Sequence, residues 1–230
     1  MSKTIFLLFH SLSVMILITA CKSESDSITQ TPVIEESQNV TDIDGNVYKT
    51  VQIGEQIWMA ENLKTKHYSD GTPVQSYCYN NDTINADKYG RLYKWSSSVR
   101  SNSNPTAVQI PVQGICPSGW HLPDDSEWQI LINSLGGNQI AGGKLKDVDS
   151  DLWLSPNTGA SNESKFSALA AGFYRVDEVF MTEGEWAIFF NAQAVNSVYV
   201  KVYNLSYDSR EIKPMEFLIH DAVSIRCIKD

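Results

Sequence analysis

Cys116-Pro117-Ser118-Gly119-Trp120-His121-Leu122-Pro123-Asp124-Asp125-Ser126-Glu127-Trp128 gathers a cysteine, a tight turn, two tryptophans and a helix start into one short run. Asp124 stands three places before Glu127, an acidic variant of the capping box, so both side chains can satisfy free amides of a first helical turn. Trp128, Leu131, Ile132 and Leu135 then fall at i, i+3, i+4 and i+7, one apolar helical stripe. Gly136-Gly137 stops the helix, because glycine accepts the left-handed conformation that helix C-termini favour. The stretch specifies a short amphipathic helix docked on a core. It specifies no reaction.

Working outward, Ile140 to Lys146 reads as a second short helical turn, ended by the acidic run Asp147-Val148-Asp149-Ser150-Asp151. Upstream, Val47 to Ile53 is rich in β-branched and aromatic residues. Gly54-Glu55 supplies a two-residue hairpin loop with glycine first, and Gln56 to Met59 returns. Asn80-Asn81-Asp82 reads as a turn, and Tyr89 to Val99 places Leu92, Tyr93 and Trp95 toward the core. The last third is strand-like over Glu185–Phe190, Ser197–Tyr207 and Ala222–Ile228. In the middle segment Val198, Val200 and Val202 share one face, and Tyr199, Lys201, Tyr203, Leu205 and Tyr207 share the other. Few helices, many short strands and long loops make an α+β domain.

Composition is that of a folded chain, 42% apolar, and the formal charge of -9 comes without a basic cluster. That combination argues against nucleic acid as a partner, because phosphates need clustered lysine and arginine. Lys3 followed by the mostly apolar Ile5–Ile18 reads as a signal peptide over residues 1–20, too short to span a bilayer comfortably. Ile18-Thr19-Ala20-Cys21 resembles a bacterial lipobox, which makes Cys21 the lipid-bearing residue. Residues 21–40 are polar and read as a flexible tether, with the globular domain over 41–230.

A family resemblance rests on several motifs in order. They are ICPSGWHLPDDSEW from Ile115, VYKTVQIGEQIWMAENLK from Val47, YGRLYKW from Tyr89, GGKLK from Gly142, NTGASNESKFSALAAGFYR from Asn157 and SIRCIKD from Ser224. Together they resemble the Fibrobacter succinogenes major paralogous domain of bacterial surface lipoproteins. More distantly, the tryptophan-flanked helix start and the terminal Arg226-Cys227 resemble the formylglycine-generating enzymes and their C-type-lectin-like fold. The first resemblance implies a lipoprotein and brings no established activity. The second implies a lectin-like α+β fold in which a terminal-strand cysteine bonds to one near the helix, here Cys227 to Cys116. With Cys21 lipidated, Cys78, Cys116 and Cys227 by themselves allow three pairings.

The enzymatic side of that resemblance lacks its ligands. Ala222 to Arg226 holds no second thiol beside Cys227 to bind copper. His67, His121 and His220 are scattered, so no zinc set is visible, and His121 reads as a structural imidazole bonded to backbone. Asp147, Asp149 and Asp151 have the spacing of half a calcium loop, yet Leu152 and Thr158 occupy positions that need glycine and glutamate. They read better as a solvated loop, and no cofactor is implied. The tyrosine face, Tyr199, Tyr203 and Tyr207, is the candidate binding surface.

These readings describe a non-catalytic, lipid-anchored protein at the outer-membrane surface that binds an extracellular glycan or protein. The alternatives are an assembly component of the envelope and an unadvertised hydrolase. Cys21→Ser is expected to abolish lipidation. Fractionation of cells should then find the protein unprocessed or soluble; a mature variant still in the membrane fraction refutes the assignment.

Overall fold

The computed structural model describes residues 36–101 and 105–230. Cys21, the expected signal peptide and most of the expected tether lie outside that range. The described residues open with a strand over the end of the expected tether. Strand β1 (Glu36–Thr41) pairs antiparallel with β2 (Val47–Ile53), because the β-branched Val40 and Thr41 register against Tyr48 and Val47. Strand β2 turns through Gly54, at the positive φ of 61° that the glycine-first loop requires, into β3 (Gln56–Met59).

The helices after β3 are short: α1 (Thr83–Tyr89), capped by Asp82, and α2 (Trp95–Val99), which follows the two-residue strand β4 (Tyr93–Lys94). The run from Cys116 forms strand β5 (Trp120–His121) and helix α3 (Asp125–Ser134). The capping box of α3 is complete, with the Glu127 amide donating to Asp124 and the Asp124 amide donating to Glu127. Helix α4 (Asn138–Leu145) follows at once. The remaining strands are β6 (Phe173–Tyr174), β7 (Phe180–Met181), β8 (Trp186–Ala194), β9 (Tyr199–Ser206), β10 (Ile212–Leu218), β11 (Ala222–Val223) and β12 (Ile228–Lys229). The fold is β-rich with few short helices. Three sheets run in the orders β1-β2-β3-β12-β5, β10-β9-β8 and β4-β11-β6-β7.

Strand β10 has no counterpart in the sequence pattern, and Pro214 explains why. Proline cannot donate to a ladder, so a strand that contains one belongs at a sheet edge, where β10 lies beside β9.

The β10-β9-β8 sheet is covered on both faces. On one, Ile188, Phe190, Val200, Val202 and Phe217 pack with Tyr48, Met59, Trp120 and the Cys116–Cys227 region. On the other, Phe189, Tyr203 and Leu205 meet α3 and Phe166. Trp128 is the centre of that second layer, with ring centroids 4.9 Å from Trp58 and 4.8 Å from Tyr203. This corrects the expectation of a solvent-facing tyrosine strip. Tyr203 is 0% exposed because Trp128 stacks on its ring, and its hydroxyl donates to Asp125. Tyr207 is half-buried against the same layer, and Tyr199 alone, 40% exposed at the strand start, reaches solvent.

Cys116 and Cys227 form a disulfide across 111 residues of sequence, and Cys78 is a buried free thiol. In the chain-entropy model closing so long a loop contributes about 4–5 kcal/mol. Among the described residues no helix is long and apolar enough to cross a membrane.

His121 is held by two carboxylates rather than by backbone. Its Nε2 lies 2.8 Å from Glu127 and its Nδ1 2.7 Å from Asp230. The bond to Glu127 raises the imidazole above its ordinary 6.5, burial opposes the rise, and Asp230 adds to it. The imidazolium's stabilising contribution is therefore complete below 6.5 and is lost as pH climbs through the raised value. His121→Asn is expected to destabilise the fold most in mildly acid solution and progressively less above neutrality. Denaturant titrations across that range test this, and a penalty independent of pH refutes it.

Candidate functional site

The terminal SIRCIKD motif places a guanidinium where no solvent reaches it: Arg226 is 1% exposed. Its Nε donates to Asn62 Oδ1 at 2.6 Å, Nη1 to the carbonyls of Met59 and Phe166, and Nη2 to the carbonyl of Ser167 at 3.0 Å. The cation also lies 4.5 Å above the Phe166 ring. Burial lowers the group to about 9, with Glu61 and Asp147 opposing the drop, so it stays cationic at neutral pH. One side chain thus ties the segment after β3 to the segment around Phe166. The first of these is also zipped to the link between β11 and β12, since Met59 and Leu63 donate their amides to the carbonyls of Cys227 and Ile225.

The Phe166 segment is strained. Asn162, Lys165 and Ser167 have φ of 49°, 58° and 52°, a region where side chains other than those of glycine and asparagine are uncommon. Two anchors hold that conformation. Phe166 is fully buried, and Asn162 clasps Ser167, its Nδ2 donating to the hydroxyl and its Oδ1 accepting from the backbone amide. Backbone strain of this kind persists only where surrounding contacts over-determine it, and it concentrates at ligand-binding sites.

Above the two tied segments lies a groove. It consists of two cavities, of about 370 and 630 Å³, that share Ala60, Glu61, Asp149 and Ser167. The smaller runs toward Asn62, Lys64, Asp87, Tyr89 and Leu152, and the larger toward Asn39, Lys49, Thr50, Asn162 and Lys165. Among the described residues the side chains of Lys49, Lys64, Asp87, Asp149 and Lys165 make no hydrogen bond or ion pair. Charged groups without partners, on walls fixed from beneath, have their bonding capacity free for a ligand.

The same motifs fix the ancestry of the chain, for the model of the Fibrobacter succinogenes major domain matches residues 51–229. The chain belongs to this family. No curated protein and no solved structure matches it.

Within this Fibrobacter succinogenes major domain the sequence-derived candidates fall in different places. Cys116 and Cys227 come together as a disulfide. The three aspartates separate. Asp147 is buried and accepts from the Ser150 amide, Asp149 lines the groove, and Asp151 is exposed. Among the described residues no three metal-ligating side chains converge. His67 bonds Asp44 at 2.5 Å beside a separate cavity of about 230 Å³, and His220 is exposed. Neither lines the groove, and neither does Cys78. Tyr199, Tyr203 and Tyr207 are absent from its lining as well.

The sequence reading missed Glu61, Asn62, Lys165 and Arg226 as site residues. The available signal was an arginine inside the mostly apolar run Ala222–Ile228, where a cation must find several acceptors to be tolerated. Arg226→Lys keeps the charge but not the planar fork, so an ammonium cannot reach all four acceptors. It is expected to cost about 2–3 kcal/mol. Hydrogen exchange should quicken at residues 59–63 and 166–167 while the amides of α3 stay protected. A lysine variant with native stability and exchange removes the guanidinium from this role.

Proposed function

We propose that the domain is a non-catalytic binding module, lipid-anchored through Cys21 at the outer-membrane surface, and that the groove takes an extracellular glycan. The observation that carries the reading is the pairing of unpartnered charged side chains, those of Lys49, Lys64, Asp87, Asp149 and Lys165, with a floor locked by Arg226. A polyhydroxylated chain offers donors and acceptors to both signs of charge, and a pre-organised groove loses little entropy in binding it. The lectin-like assignment of the fold belongs to the same proposal. It is supported by the disulfide that links the terminal strand to the stretch just before α3.

No imidazole or thiol lines the groove, which favours binding over nucleophilic chemistry. Glu61 and Asp149 are the two carboxylates at its waist, so the assay must also watch for glycoside cleavage. A second reading, assembly of the envelope through a protein contact, is favoured by the β8–β9 hairpin tip, where Val195, Val198 and Tyr199 are exposed together.

The test is a glycan array probed with the full-length protein in detergent. Titrations of Glu61→Gln and Asp149→Asn on any glycan retained should show affinity lower by about tenfold each. Tyr199→Ala should leave binding unchanged. Release of reducing ends that stops in Glu61→Gln would replace binding by hydrolysis. Glycan binding indifferent to both groove variants but lost in Tyr199→Ala would move the site to the hairpin.

A further inference from the structure

The charges in the groove are not evenly spread. Glu61 and Asp149 belong to the waist, and Asp87 lines the smaller cavity beside Lys64 and Lys88. The residues that line only the larger cavity are Asn39, Lys49, Thr50, Val51, Asn162 and Lys165. They include two lysines and no carboxylate. In a chain of formal charge -9 such a stretch runs against the background. Elsewhere Lys144, Lys201 and Lys213 are paired with Glu163, Asp125 and Glu211, whereas Lys49 and Lys165 have no acidic partner.

The backbone of each lysine is fixed. Lys49 sits on β2 with its amide donating to Glu61 and its carbonyl accepting from Ala60, so its backbone is tied to the waist of the groove. Lys165 occupies one of the three left-handed positions of the strained segment, at φ 58°, directly before the fully buried Phe166. A lysine at such a position is held there by its neighbours, since its own backbone preference lies elsewhere. The strain therefore holds the Lys165 backbone at the edge of a cavity that Lys49 also lines, and the carboxylates of that cavity, Glu61 and Asp149, belong to its waist.

We infer that the larger cavity is a subsite for an anionic substituent of the glycan, a carboxylate or sulfate held between Lys49 and Lys165. The inference rests on the glycan-binding reading and adds to it the chemical class of ligand, an acidic polysaccharide. The waist carboxylates Glu61 and Asp149 set the register. They accept from hydroxyls of the adjoining sugar and would repel a second acidic group placed against them, so the groove favours a chain whose charge falls at one end of the bound stretch. Ammonium groups with a solvent-facing side bind such a group with a strong dependence on ionic strength.

The experiment uses the full-length protein in detergent and three probes: a galacturonate oligomer, a neutral glucan oligomer of the same length, and a sulfated glucan oligomer without carboxylates. Calorimetry at low salt and again at about 0.15 M salt reads the screening. One or both acidic probes are expected to bind at least about tenfold tighter than the neutral one at low salt. Which of them does so distinguishes carboxylate from sulfate. In the double variant Lys49→Gln, Lys165→Asn the preference should vanish, with neutral-glucan affinity changed by less than about twofold. Asparagine is chosen because it tolerates the left-handed backbone. Lys49→Glu alone, clear of the strained segment, should invert the preference, and Lys213→Gln should do nothing. An acid preference that survives the double variant overturns the inference. Equal affinity of the native protein for acidic and neutral chains overturns it too but leaves glycan binding standing. No binding of any probe sinks both.

Discussion

Everything on the groove side of this domain depends on one buried guanidinium meeting its acceptors. Arg226 has carbonyls from two segments more than a hundred residues apart in sequence, plus the Asn62 amide oxygen, arranged around its plane. An ion taken out of water costs several kcal/mol, and only a complete set of hydrogen bonds offsets that cost. The arrangement is accordingly all or nothing. With the acceptors in place the two segments are fixed at one spacing, and without them the same charge would drive water into the core. The aromatic layer around Trp128 supplies bulk stability that many packings would give, whereas the arginine selects a single relative position for the walls.

The disulfide and the aromatic layer make that position sustainable. Cys227 follows Arg226 directly, and its bond to Cys116 anchors the terminal strand to the turn that leads into α3. On the far side of the central sheet, Trp128 is wrapped by Trp58, Phe166, Phe189 and Tyr203. Phe166 belongs to both systems, packing into the aromatic layer while its carbonyl accepts from Arg226. Strain in the segment around it is held by these contacts, which is how three left-handed residues in quick succession remain ordered.

The local parts of the fold were legible from sequence because local rules govern them. The Asp124–Glu127 box, the glycine-first hairpin at Gly54 and the Trp128-Leu131-Ile132-Leu135 stripe all appear where their patterns place them. The disulfide came from resemblance, since three cysteines alone leave the pairing open. Strand β10 was hidden by Pro214, which only an edge position tolerates. The tyrosine face of β9 was misjudged for a different reason. Alternation tells which residues share a face but not what covers it, and α3 covers the face that the valines made redundant. The groove was the least legible of all. Its residues come from six separate segments, and the side chain that ties two of them, Arg226, is absent from its lining. The pattern marks Arg226 as a cation in need of acceptors, but it does not say which two distant loops supply them.

The location of that fastener in the chain has a consequence for the order of folding. Residues 59–62 and 162–167 leave the ribosome well before Arg226 does, and until it arrives they have no common tie. The groove is therefore completed late, in one step with the segment that brings Cys227 to Cys116. A chain cut short before Arg226 would keep the rings that wrap Trp128 and still lack the tie between its two walls. An intact groove thus doubles as a receipt that synthesis has run through Arg226.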